Sequence, residues 1–170
     1  MGADCAHFAF CDMKNEDKTN VMRTLDQKKI AYSSYRYEND GTLTGGEIAK
    51  LLGKDPDSTF KTLVTVGASK QNYVFMVPVL CELDLKKAAR AAGEKSIEMI
   101  KSKELLPLTG YVHGGCSPIG MKKTFRTFID ESAALYETIM FSGGRIGCQV
   151  EMPLDSLREI VPVEEADITV

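Results

Sequence analysis

Histidine is scarce: the chain has two, His7 and His113, and no GxSxG stretch. A serine hydrolase needs an imidazole held beside its nucleophile, so the usual triad chemistry is excluded. His113 is the one histidine in the patterned part of the chain. A lone histidine beside glycines is more often an exposed or satisfied residue than a base. Walker A and Rossmann glycine spacings are also missing, which removes the usual support for nucleotide hydrolysis. The five cysteines are odd in number and form no CxxC pair, so neither a disulfide framework nor a zinc site is indicated. Cys5, His7 and Cys11 make a weak metal set in an unpatterned stretch, and the acidic residues lack metal-ligand spacing. No cofactor and no metal are expected.

No apolar run approaches the roughly 20 residues that span a bilayer, and Met1–Cys5 lacks the basic start of a signal peptide. Ala6 occupies the position where a myristoylated Gly2 would want Ser or Thr. A soluble cytoplasmic protein with no membrane partner is expected. A large basic excess is lacking too, since the formal net charge is -3. Coating of nucleic acid through a basic face is thereby excluded, and any such contact must be local. Two short groups could supply it, Lys86-Lys87 with Arg90 and Lys122-Lys123 with Arg126. Their bland reading is a solvated face.

What is present fits one domain, since 170 residues with 44% hydrophobic and 26% charged side chains are ordinary globular values. Residues 1–17 read as an extension and 18–170 as the domain. Val21, Met22 and Leu25 recur at helical spacing after Asp17 or Thr19 as N-cap. A strand is expected over 30–37 and a short helix over 44–52. Phe60–Val66 and Tyr73–Pro78 read as a hairpin. Asp84 opens a helix that Gly93 closes. A brief strand at 97–99 and a short helix over 102–106 follow, and from Leu108 the chain becomes a glycine-rich loop through Gly120. Strands are expected at 127–129, 138–141 and 147–152. Pro153 is placed at N1 of a closing helix over 154–161, and the acidic stretch 164–167 reads as a solvated tail. The fold class is α+β, with a mixed, mostly antiparallel curled sheet and surrounding helices.

Three features stand out chemically: Lys61 on an apolar strand, the loop Gly114-Gly115-Cys116-Ser117-Pro118, and the turn Ser142-Gly143-Gly144. Each alone has a bland reading as a solvated lysine or an ordinary turn. Together they offer bare backbone groups, a proline-stiffened loop and one compact positive charge suited to a phosphate or carbonyl.

These blocks, with Leu83–Ala88 and above all Thr109-Gly110-Tyr111-Val112-His113-Gly114-Gly115-Cys116-Ser117-Pro118-Ile119-Gly120, resemble the YbaK/EbsC family, relatives of the prolyl-tRNA synthetase editing domain. The resemblance runs from about Lys18 to Asp167. It implies a partial-barrel fold and trans-editing, the hydrolysis of a misattached amino acid, typically cysteine on proline tRNA. It also implies an aminoacyl-tRNA acceptor end as ligand and prolyl-tRNA synthetase as a candidate partner. By this resemblance Lys61 and Gly114 are catalytic, Lys61 holding the 3′-terminal nucleotide. Thr62, Gly115, Pro118, Ser142, Gly143 and Tyr37 line the substrate site. The chain departs from the pattern at Gln149, where many relatives carry an acid, and at Leu43 or Thr44, where an aromatic is replaced. Both changes bear on which side chain is accepted.

An aminoacyl ester is reactive enough to be cut by positioning and oxyanion stabilisation, without a protein nucleophile. Cys116 in the loop invites a covalent alternative. The rival from another class is a non-catalytic module that holds a tRNA acceptor end or nucleotide for a synthetase. Oligomeric state is left open.

Overall fold

The structure, a computed structural model, describes residues 17–170. The Cys5–His7–Cys11 group and all of the extension except Asp17 lie outside the described residues. Helix α1 (Asn20–Gln27) starts where the Thr19 hydroxyl accepts the Met22 N–H at 3.2 Å, and it buries Val21, Met22 and Leu25. Strand β1 (Ser33–Arg36) follows. Helix α2 (Gly45–Leu51) is set by a capping box in which Thr44 and Glu47 satisfy each other's backbone N–H groups.

Strands β2 (Phe60–Gly67) and β3 (Asn72–Pro78) form the expected antiparallel hairpin. The Asp84 carboxylate caps helix α3 (Leu85–Ala92), and Gly93 ends it at φ 73°. Strand β4 (Ile97–Met99) and helix α4 (Ser102–Thr109) come next. The helix continues past the expected stop at Leu106. Pro107 lacks an N–H to give, but Thr109 Oγ1 donates to the Leu105 carbonyl at 2.7 Å, and Gly110 at φ 86° turns the chain away.

The remaining elements are β5 (Arg126–Asp130), β6 (Ile139–Ser142), β7 (Cys148–Met152), a short α5 (Leu154–Arg158) with Pro153 as its N-cap, and β8 (Val163–Ala166). The last of these corrects the reading of 164–167 as a solvated tail. β8 lies parallel to β5, where Arg126 pairs with Glu164 at 3.0 Å and Arg158 with Glu165 at 3.0 Å. The buried Asp130 carboxylate accepts the Ile168 N–H at 3.2 Å, and Ile168 is fully buried. An edge strand needs only one apolar side, so its exposed acids disguised it.

Among the described residues the strands make two sheets, β1-β7-β6 and β4-β2-β3-β5-β8. They meet at a single parallel bridge, Thr59 to Met140, and do not close into a barrel. All pairings are antiparallel except β3 with β5 and β5 with β8. The larger sheet separates two apolar clusters. Phe60, Val64, Val74 and Met76 pack with α1 and the smaller sheet, whereas Tyr73, Phe75, Val77 and Phe128 pack against α3. The sheet leaves one gap that matters: β4 pairs with Thr65–Gly67, the Ile100 N–H reaches the Val64 carbonyl at 3.4 Å and β6 bridges Thr59, so between them the outer edge of β2 from Phe60 to Leu63 has no paired strand.

Candidate active site

A cavity of about 490 Å³ fills that gap. Its position explains why neighbours whose side chains alternate between the two faces of a strand both reach it: Lys61 and Thr62 meet at the open sheet edge. The start of α2, with Thr44 and Ile48, forms one wall, and the start of α4, with Lys101 and Ser102, forms another. The glycine loop closes a third side through His113, Gly114 and Cys116. Ser142, Ile146 and Gln149 complete the enclosure from the smaller sheet.

Lys61 is the charged group on this edge. Its Nζ lies 3.7 Å from a carboxylate oxygen of Glu82, beyond good hydrogen-bond length, and the Glu82 side chain is 84% exposed. Such a pair is weak and readily displaced by a ligand. The Thr62 hydroxyl is buried and has no hydrogen-bond partner among the described residues. Buried hydroxyls are normally satisfied, so this one carries a cost in the free protein, and its lack of accessible surface keeps it out of reach of the cavity.

In the glycine loop Gly114 adopts φ 86°, a backbone that side chains other than glycine rarely take. The Gly115 N–H is donated to the Val112 carbonyl at 3.0 Å and is spent on the turn. The N–H groups of Gly114 and Cys116 make no hydrogen bond among the described residues. Two backbone donors on residues that line the cavity are thus unengaged. The Cys116 thiol is buried, which pushes its pKa up to about 12. It is therefore a neutral thiol near pH 7, without the nucleophilic strength of a thiolate.

Ser142 is buried, and its Oγ accepts the Gly144 N–H at 3.2 Å, tying the turn that precedes β7. Gln149 Nε2 donates to the Tyr37 hydroxyl at 3.1 Å, and burial raises the Tyr37 pKa. The wall is therefore polar but uncharged at this point.

A family model described as the aminoacyl-tRNA editing domain matches residues 40–160. The chain belongs to this family. Within it, the chain is 41% identical over 157 residues to a protein of Enterococcus faecalis, covering 92% of this chain and 96% of the relative. That relative is provisionally named a Cys-tRNA(Pro)/Cys-tRNA(Cys) deacylase, EbsC. Two solved structures share the fold. One, described as a provisional trans-editing enzyme for prolyl tRNA synthetase, superposes with TM-score 0.78 at 23% identity, covering 94% of this chain and 99% of that one. The other, hypothetical protein APE2540, gives TM-score 0.81 at 21% identity over 89% of this chain and all of its own.

Of the residues singled out from the editing-domain resemblance, Lys61, Thr62, Gly114 and Ser142 line the one cavity. Tyr37, Gly115, Pro118 and Gly143 do not line it. Tyr37 stands behind Gln149. Pro118 is buried, while the Gly143 N–H bonds the Cys148 carbonyl at 2.9 Å. Gly115 presses on the 145–146 turn, where an added Cβ would sit 3.1 Å from the Ile146 nitrogen. Asn39, Ile146, Lys101 and Ser102 line the cavity without having drawn attention in the sequence. For Lys101 and Ser102 the available signal was the start of α4, a place where backbone N–H groups point outward.

Proposed function

We propose that this protein hydrolyses the ester of mischarged aminoacyl-tRNA in trans, with cysteine on proline tRNA as its leading substrate. The observation that carries the proposal is the meeting of Lys61 with Gly114 and Cys116, whose N–H groups are unengaged among the described residues, around one cavity. Its size falls within the usual range for small-molecule sites and suits an aminoacyl group on a ribose. The name of the E. faecalis relative points the same way.

Lys61 holds the terminal nucleotide by its charge, and the ester carbonyl faces the glycine loop. Attack by water, or by the thiol of a cysteinyl substrate, breaks the carbonyl π bond and places negative charge on its oxygen. The Gly114 and Cys116 N–H groups receive that charge. The carbonyl then reforms as the ribose oxygen departs, taking the proton that the attacking water or thiol gives up. The thiol route releases a thiolactone, which water then opens to the free amino acid. The chain contributes orientation and fixed dipoles, which is sufficient for an ester this reactive.

Thr62 gives a test that separates stability from activity. Thr62→Val is expected to stabilise the free protein slightly, because removing an unpaired buried hydroxyl relieves a cost of about 1–3 kcal/mol. It is expected to leave turnover near the wild-type level, because the hydroxyl has no surface open to the cavity. Thermal melting and deacylation measured on the same sample check both.

Cys116→Ser is expected to retain deacylation, because a neutral buried thiol is not the nucleophile. Trapping of a covalent aminoacyl-Cys116 species would contradict this.

The direct test of the proposal is release of labelled amino acid from a panel of aminoacyl-tRNAs. A deacylase destroys the cysteinyl ester on proline tRNA. A module that only binds the acceptor end protects it, and that result would replace the proposal with the binding reading.

A further inference from the structure

Each of the two basic groups seen in the sequence gives up one member in the fold. Lys87 is taken up by the C-terminal segment, with its Nζ 3.0 Å from Asp167 and 2.8 Å from the Thr169 carbonyl. Arg126 is committed to Glu164 at 3.0 Å and to the Ala92 carbonyl at 3.2 Å. Lys86 and Arg90 are exposed and have no carboxylate partner among the described residues, and the same holds for Lys122 and Lys123, which differ from them in their place in the fold.

Their position relative to the cavity follows from α4. The helix begins at the cavity, where Lys101 and Ser102 line it, and ends at Thr109, whose carbonyl accepts the Lys122 N–H at 3.1 Å. The Lys122 stem runs past Gly110, where its Cγ and Cε would lie 3.4 Å from an added Cβ. Eight residues of helix span about 12 Å, the length of several consecutive phosphates on one strand. Lys101 and Lys103 sit at the cavity end of this span, exposed and without a carboxylate partner among the described residues.

Between positions 101 and 125 the chain carries four lysines against one glutamate, although the whole protein is at -3. That glutamate, Glu104, accepts the Lys101 N–H at 3.0 Å as part of the helix start. Positive charge is thus concentrated at the two ends of α4, the first of which opens on the cavity. A local field of this kind attracts a polyanion even when net charge is negative.

We infer that α4 and the segment after the glycine loop, through Lys101, Lys103, Lys122 and Lys123, form the surface on which the phosphate backbone of the tRNA acceptor stem lies. The inference rests on the proposed function, since it assigns the stem to a cavity that takes the charged end. Phosphate contacts of this sort position the ligand without reading its sequence. The surface therefore supplies affinity and orientation, and the choice of amino acid is left to the cavity.

The test uses the full chain and uncharged tRNA, with affinity measured by fluorescence anisotropy across a salt series. The variant is Lys103→Ala with Lys123→Ala, two exposed residues outside the cavity lining. A charge-matched control is Lys86→Ala with Arg90→Ala on α3. The Lys103/Lys123 variant is expected to lose roughly tenfold to a hundredfold in tRNA affinity at 0.1 M salt, with a salt slope shallower by about 2. The α3 control should keep wild-type binding. Turnover should show a raised KM for aminoacyl-tRNA at unchanged kcat, and hydrolysis of a cysteinyl ester of adenosine, which has no stem, should be unaffected. Wild-type affinity and slope in the Lys103/Lys123 variant would overturn the inference, as would an equal loss in the α3 control. Binding is read on uncharged tRNA, so a protein that binds through these lysines but cuts no ester would refute the deacylase reading alone.

Discussion

Replacing Lys61 by alanine is expected to lower deacylation by about 10² to 10³, the usual cost of removing one preorganised contact to a reacting group. The fold should survive the change. Lys61 keeps 31% of its side chain exposed and makes one long ion pair to a nearly free glutamate, so little stability depends on it. The strand beneath it is held by its ladder to β3 from Phe60 to Val66, which a side-chain truncation leaves in place. Activity and stability should therefore separate: a near-normal melting temperature with most turnover gone. Normal turnover by a folded Lys61→Ala protein would remove Lys61 from the site.

Gly115→Ala should also cost activity, by a different route. Gly115 does not line the cavity, but its Cα faces the backbone of Arg145 and Ile146. An alanine Cβ would come within 3.1 Å of the Ile146 nitrogen and 3.3 Å of two Arg145 atoms. Backbone atoms yield poorly, so the loop and the turn must move apart, and Gly114 and Cys116 move with the loop. The shift demanded is a few tenths of an ångström, and since a displacement near 1 Å of a positioning group can cost about 10²-fold in rate, a loss of roughly threefold to tenfold is expected. Steady-state kinetics should show the loss mainly in kcat, because the N–H groups act on charge that develops in the transition state. The overpacking should also cost about 1–3 kcal/mol of stability, read by denaturant titration. Wild-type kcat in Gly115→Ala would show that the contact between loop and turn does not position the site.

These expectations draw on features that the sequence disclosed unequally. The hairpin Phe60–Pro78 and helix α3 could be read in advance because alternation, an Asp N-cap and a terminal glycine are local signals. Lys61 stood out because a lysine is unusual on so apolar a strand. β8 escaped notice because its pairing with β5 is fixed by Asp130 and Arg126, well over thirty positions away in the chain. The cavity itself was invisible, since it exists only because β4 is three residues long and β6 touches β2 only at Thr59, which leaves Phe60 to Leu63 unpaired on that edge. Nor could composition decide which of two adjacent glycines bares its backbone to a ligand. Backbone angle and the neighbouring turn make Gly114 face the cavity and Gly115 face the protein. The two basic groups were indistinguishable in the sequence, because only the fold places Lys122 and Lys123 at the far end of a helix that starts at the cavity.

The departures at Gln149 and Leu43 now have a location. Both line the cavity, and Gln149 is held by Tyr37. A neutral amide paired with a phenol gives this part of the wall no charge to select against, so discrimination here depends on shape and hydrogen bonding.

The most direct measurement is a crystal structure of the protein with 3′-cysteinylamino-adenosine, in which an amide replaces the labile ester. The carbonyl oxygen should lie about 2.7–3.1 Å from the N–H of Gly114 or Cys116, with the adenosine on the Lys61 side of the cavity. A carbonyl directed to solvent, or an analogue bound away from β2 and the glycine loop, would contradict the account.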